Sequence, residues 1–118
     1  MLGGMQEGIP PKTLNLLNKH ADDLYVSAIS SFEIVLKHRL GKLGLPLPGR
    51  IWYLKAIELY VIREIDVSAE IAMRSAELPF IHKDPCDRVI ISTALVTGMA
   101  IVTSDKIIPQ YEKVKTIW

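Results

Sequence analysis

Glu33, Asp87 and Asp105 are the side chains whose type and position could do chemistry. Asp87 is the most telling, because its i+3, i+4 and i+7 neighbours are Ile90, Ile91 and Ala94. It therefore projects from the core-facing side of a helix, where a merely solubilising acid would not sit. Each acid also has an ordinary explanation. Glu33 completes a Ser-x-x-Glu capping box with Ser30, Asp84 is an N-cap and Asp87 a first-turn acid of one helix, and Asp105 caps a short helical stretch running from Lys106 towards Gln110. Together they point further, because clustered carboxylates repel one another unless a cation neutralises them. All-oxygen ligands suit Mg²⁺ or Mn²⁺. His20, His38, His82 and the single Cys86 show no zinc-ligand spacing. One or two such ions activate water for attack on a phosphodiester and stabilise the leaving oxygen, so phosphate hydrolysis is the natural hypothesis.

The elements that must position these acids alternate between helix and strand. Pro11 suits the first turn of a helix whose apolar side is Leu14, Leu16 and Leu17 and which ends near Asp22. Leu24 to Ile29 reads as a buried strand, followed by a helix from the Ser30 capping box that stops at the loop Gly41 to Pro48. Ile51 to Leu59 is helix-like, Tyr60 to Ile65 strand-like, and Ser68 is an N-cap for a helix running to about Glu77. Asp84 and Pro85 open another helix, Gly98 ends it, and Met99 to Val102 and Val114 to Ile117 read as short strands. Strands separated by helices predict an α/β fold with a mostly parallel sheet. In that arrangement the carboxyl ends of the strands and the N-termini of the helices share one edge, where ligands bind. Glu33, Asp87 and Asp105 all fall on it.

A chain of 118 residues buries one proper core, so residues 1–118 are expected to form a single domain. Its 49% hydrophobic and 23% charged residues are a globular composition. The longest apolar runs, Val89 to Ile91 and Ala94 to Val96, are interrupted by Ser92, Thr93 and Thr97 and exclude a membrane-spanning helix. Gly3, Gly4, Gln6 and Glu7 replace the basic and apolar stretches of a secretory signal, and the lone Cys86 fits a reducing cytoplasm. A formal net charge of +1 gives little long-range attraction for nucleic acid, so RNA binding needs local patches.

The segments Tyr25-Val26-Ser27-Ala28-Ile29-Ser30-Ser31-Phe32-Glu33-Ile34, Gly41-Lys42-Leu43, Leu45-Pro46-Leu47-Pro48, His82-Lys83-Asp84-Pro85-Cys86-Asp87-Arg88 and Val102-Thr103-Ser104-Asp105 follow in this order across nearly the whole chain. Their order and spacing resemble PIN-domain ribonucleases of the VapC toxin type. The resemblance implies a three-layer fold with a mostly parallel central sheet flanked by helices. It maps the family's active-site acids onto Glu33, Asp87 and Asp105. It also implies a metal-dependent endoribonuclease of a type II toxin-antitoxin system, acting on structured RNA such as tRNA or ribosomal RNA and blocked by a cognate antitoxin, with a homodimer as the expected assembly. Arg39, Lys83 and Arg88, with Lys42 and Lys106, are candidates for RNA phosphate contacts. Cys86 stands where similar proteins often have an aromatic residue or leucine, and a structural role is expected for it.

PIN domains of this type normally begin with an apolar strand followed by Asp-Thr-His or a similar triplet. Met1-Leu2-Gly3-Gly4 resembles the stretch after that strand and its short helix. The N-terminal central strand and the first catalytic aspartate are therefore expected to be absent from this chain and encoded upstream of Met1. Two further readings stand beside the active toxin: a catalytically impaired PIN domain that binds antitoxin or RNA without efficient cleavage, and an unrelated α/β binding module.

Overall fold

In the computed structural model, residues 1–3 and 8–118 are described; Gly4, Gln6 and Glu7, used above in reading the N-terminus, lie outside them. Helix α1 spans Pro11–Lys19, and a 3-10 turn at Ala21–Asp23 leads into strand β1, Tyr25–Ser27. Helices α2 (Ile29–Arg39) and α3 (Gly49–Leu59) follow, then β2 (Arg63–Ile65), α4 (Ala69–Glu77), α5 (Pro85–Thr97) and β3 (Ile101–Val102). A second 3-10 turn at Ile108–Gln110 precedes β4, Thr116–Ile117.

β1 pairs in parallel with β2, Val26 opposite Glu64, and β3 pairs in parallel with β4, Ile101 opposite Thr116. Between β1 and β3 lie Met1–Gly3. Leu2 forms parallel bridges to both Val26 and Val102, through Leu2 N–H to Tyr25 O at 2.8 Å and Gly3 N–H to Val102 O at 2.8 Å. The central position, where the resemblance predicts a missing strand, thus holds a three-residue segment that joins the two strand pairs. Met1–Gly3 lie in that slot and not after it, contrary to the expectation that Met1-Leu2-Gly3-Gly4 follows the missing strand.

Successive residues of a strand face opposite sides, so Val26 and Glu64 share one face while Ser27 and Ile65 share the other. Val26 packs with Ile34 of α2 and Tyr53, Trp52 and Ile57 of α3. Ile65 packs on the opposite core, formed by Ile90, Ile91 and Ala94 of α5 with Met1, Ile101, Ile108 and Tyr111. Both faces are covered by helices, giving the three layers. Full burial of Ile90, Ile91 and Ile101 contributes about 1.5–3 kcal/mol each.

Two helix starts follow the sequence closely. Ser68 Oγ accepts from Ile71 N–H at 3.2 Å, and Asp84 Oδ1 accepts from Cys86 N–H at 2.8 Å and Asp87 N–H at 3.1 Å. Gly98 closes α5 in the left-handed conformation, with φ 75° and its N–H on Ala94 O. The start of α2 differs. Ser27 Oγ accepts from Ile29 N–H at 3.2 Å, so the helix begins ahead of Ser30, whose hydroxyl is buried with no hydrogen-bond partner among the described residues. The capping box is not formed. The strand predicted over Tyr60 to Ile65 is shortened because the N–H groups of Tyr60, Val61 and Ile62 return to carbonyls of α3, with Val61 at φ 51°.

Candidate metal centre

Glu33 sits one turn inside α2, Asp84 and Asp87 open α5, and Asp105 follows β3, so three separate segments deliver acids to the carboxyl edge of the sheet. Because the capping box does not form, the Glu33 carboxylate takes no main-chain hydrogen bond among the described residues. Its side chain is only 7% exposed and its ionic partner is Lys37, one turn along α2 at 3.6 Å. One oxygen or sulphur atom from each of Glu33, Asp84 and Cys86 lies within 4.8 Å of the others. A second group of the same size joins His82, Asp87 and Asp105. His82 Nε2 lies 3.2 Å from Asp87 Oδ2 and 3.1 Å from Asp105 Oδ2.

The electrostatics distinguish these acids. Burial and the neighbouring charge of Asp84 push the Asp87 carboxyl up to about 6; His82 opposes the shift, and Glu33 and Asp105 add to it. Asp105 moves the other way. Burial disfavours its ionised form, but hydrogen bonds from His82 and from the Ile107 and Ile108 N–H groups outweigh that and hold its pKa below the ordinary value. Those N–H groups reach Oδ1 at 2.6 and 3.1 Å, so Asp105 also caps the 3-10 turn. Burial, with the charges of Glu33, Asp84 and Asp87 and against that of Lys37, raises the Cys86 thiol to about 11. Such a thiol is protonated at neutral pH, in keeping with a structural role.

The carboxylates of Glu33, Asp84, Asp87 and Asp105 could hold a cation, with the Cys86 thiol and the His82 ring completing the two groups. Repulsion from Asp84, Glu33 and Asp105 helps to raise the Asp87 carboxyl, and a cation among them would relieve it.

The basic candidates separate. Lys83 and Lys106 are exposed and adjoin Asp84 and Asp105 in sequence, and Lys42 is exposed in the loop after α2. Arg39, at the end of α2, lines a groove with Phe32, Leu36, Arg50, Tyr53 and Leu54. Arg88 is the correction. It is buried, donating to the carbonyls of Pro79, His82, Ser75 and Leu78 at 2.8–3.0 Å, and its guanidinium lies 4.9 Å from the centre of the Phe80 ring. Its donors organise the loop between α4 and α5 and do not face a phosphate.

A family model described as the PIN domain matches residues 11–114. The chain belongs to the PIN-domain family. It is 30% identical over 103 residues to ribonuclease VapC22 of Mycobacterium tuberculosis (strain ATCC 25618 / H37Rv), covering 85% of this chain and 78% of that protein. It also superposes on the crystal structure of VapBC2 from Rickettsia felis bound to a DNA fragment from their promoter, with a TM-score of 0.66. That match covers 99% of this chain and 98% of the other at 16% identity, a likeness of fold. The VapC type expected from the motifs is thereby supported. In this PIN domain, two residues of the site lie beyond the sequence reading. Asp84 is an N-cap as expected, yet its carboxylate also faces Glu33 and Cys86. His82 has no zinc-ligand spacing, although its place two residues before the N-cap puts it at the mouth of α5.

Proposed function

We infer that this protein is a metal-dependent endoribonuclease toxin of a type II toxin-antitoxin system, hydrolysing RNA phosphodiester bonds. The observation that supports the reading is the pair of side-chain groups Glu33–Asp84–Cys86 and His82–Asp87–Asp105, with the Asp87 carboxyl raised to about 6 by burial and its acidic neighbours, Glu33 among them. Glu33 and Asp87 are the principal ligands for Mg²⁺ or Mn²⁺, and Asp105 is a third. When bound, the cation supplies an activated water and stabilises charge on the leaving oxygen. Asp105, held ionised by His82 and two N–H groups, keeps negative charge at the site across the neutral range. Lys83 and Lys106, at the rim, suit phosphate contacts that position an RNA of the tRNA or ribosomal class without reading its sequence. Among the described residues no helix is long and apolar enough to cross a membrane, and a cytoplasmic setting agrees with the substrate.

The expected partner is a cognate antitoxin. Phe32, Val35 and Leu36 of α2 and Leu54 of α3 are exposed apolar residues along one groove, with Arg39 and Arg50 beside them. Such a surface suits an amphipathic segment carrying acids. A homodimer through other helix faces completes the reading.

One observation favours the second reading, a PIN domain that binds antitoxin or RNA without efficient cleavage: Met1–Gly3 bring no side-chain carboxylate into the central slot of the sheet. Incubating the purified chain with tRNA and ribosomal RNA, with Mg²⁺, with Mn²⁺ and with excess chelator, separates the two. Cleavage that needs the cation and disappears in Asp87→Asn and Glu33→Gln supports the toxin. Antitoxin binding without cleavage supports the second reading, and undiminished cleavage in chelator overturns the metal assignment.

A further inference from the structure

His82 touches two of the proposed metal ligands through one nitrogen, although they arrive on different elements. Asp87 belongs to the first turn of α5 and Asp105 to the loop after β3, and Nε2 lies 3.2 and 3.1 Å from their Oδ2 atoms. The opposite ring nitrogen decides what this contact is. Asp84 N–H donates to His82 Nδ1 at 3.2 Å, so Nδ1 presents its lone pair and Nε2 carries the proton. We propose that His82 is a positioning residue that donates Nε2–H to Asp105 and holds Asp87 Oδ2 against the same nitrogen by charge, and is not itself a metal ligand. This rests on the metal-site reading above.

The ring has little freedom to do anything else. His82 is buried, its own N–H donates to Tyr111 Oη at 2.7 Å, and its carbonyl accepts from Arg88 at 3.0 Å. Tyr111 Oη in turn donates to Pro79 O at 2.8 Å, which ties the loop between α4 and α5 to the segment after β3. Ligation through Nε2 would require moving its proton to Nδ1, where it would face the Asp84 N–H. That exchange loses one hydrogen bond and sets two donors against each other. The clamp has a consequence for the acids. Asp105 gives Oδ1 to the Ile107 and Ile108 N–H groups and one side of Oδ2 to His82, leaving little room for bidentate ligation. Among the described residues the Asp87 carboxylate has only the ionic contact of Oδ2 with His82, so Oδ1 remains for a cation. A donor that aligns two ligating carboxylates is the kind of partner whose removal lowers metal affinity by roughly 10–100-fold.

The test has one arm without metal and one with Mn²⁺, both on the full chain. With ¹⁵N-histidine labelling, long-range ¹H–¹⁵N correlation of the metal-free protein should show His82 as the Nε2–H tautomer, assigned by its loss in His82→Gln. The Nδ1–H tautomer would overturn the clamp. With Mn²⁺, pulsed electron paramagnetic resonance should show no coupling to a directly bound histidine nitrogen. His82→Ala should weaken Mn²⁺ binding about tenfold or more, and His82→Gln, whose amide N–H can still donate, should recover most of it. Direct nitrogen coupling from His82, or equal Mn²⁺ affinity in wild type, Ala and Gln, would overturn the proposal. Absence of Mn²⁺ binding by the wild type would instead defeat the metal-site reading, while the tautomer measurement still decides the clamp. If His82→Ala does not fold, the tautomer and Gln arms remain decisive.

Discussion

Replacing Asp87 by asparagine should stabilise the metal-free protein at neutral pH while weakening its response to a divalent cation. The amide side chain keeps the shape and an oxygen beside His82 Nε2, but removes a charge that is buried and that repels Asp84, Glu33 and Asp105. The Asp87 carboxyl rises from 3.8 to about 6 on folding. A raised acid pKa means that the native state holds its proton more tightly than the unfolded chain. Wild-type stability from this group is therefore fully present below about pH 4, falls as pH rises towards 6, and is flat above that. At about 1.36 kcal/mol per pKa unit the full difference is about 3 kcal/mol. The Asp87 side chain is 18% exposed and the cluster opens on solvent and salt, so about 1–2 kcal/mol is the expected gain for the variant at about pH 7.5. Urea unfolding in chelator at half-unit steps from about pH 4 to 8 measures it: the wild-type and variant curves should meet near pH 4 and separate up to about pH 6.5. Adding Mn²⁺ should then raise the wild type above the variant, because binding to the native state stabilises it by mass action. Parallel pH profiles in chelator, with no separation, would refute the electrostatic account of the cluster.

Arg88→Met should be among the most destabilising single changes, about 3 kcal/mol or more by denaturant unfolding, because it removes the guanidinium donor from the carbonyls of Ser75, Leu78 and His82. Ile91→Ala, at a fully buried position of α5, should cost about 2–5 kcal/mol in the same assay. Val61→Asn should raise stability by about 0.5–1 kcal/mol, since a β-branched residue at φ 51° is strained and asparagine tolerates that conformation. Ser68→Ala should lower stability by about 1 kcal/mol through loss of the N-cap to Ile71.

The alternation of helices and strands was legible because apolar runs and punctuation agree at most boundaries. Ser68, the Asp84-Pro85 pair and Gly98 each mark an end with a local interaction that the structure contains. Boundaries failed where a competing local bond won. Ser30 and Glu33 have the spacing of a capping box, but Ser27 takes the first N–H of α2 and moves the helix start back. The strand-like Tyr60 to Ile62 run instead closes the C-terminus of α3, because satisfying orphan helix carbonyls outweighs the β preference of Tyr, Val and Ile. Arg88 misled for a related reason. Its place beside Asp87 suggested a phosphate contact, and nothing local in the sequence discloses that carbonyls from Ser75 to His82 converge on its side chain.

The partners of Arg88 and His82 also explain why chemistry can be placed on loops here without leaving them loose. Arg88 gathers the carbonyls of the α4–α5 loop, and Tyr111 bridges that loop to the chain after β3. His82 emerges from this braced loop, so the distance between Asp87 and Asp105 is governed by buried main-chain hydrogen bonds and not by the acids themselves. Burial first, and then the charges of Asp84, Glu33 and Asp105, raise the Asp87 carboxyl, so the ionised acids are held together against their repulsion. Asp84 and Asp105 add a second restraint, since each spends an oxygen on capping a helical turn and cannot swing away without uncapping it. The same capping that offered an ordinary explanation for these aspartates in the sequence therefore becomes the means of holding carboxylates together against their mutual repulsion. Glu33, which caps nothing, lacks that restraint. Its position depends on packing in α2 and on Lys37. Among the described residues, Glu33 and Asp87 are the site acids placed by packing and ionic contacts rather than by a main-chain bond to the carboxylate.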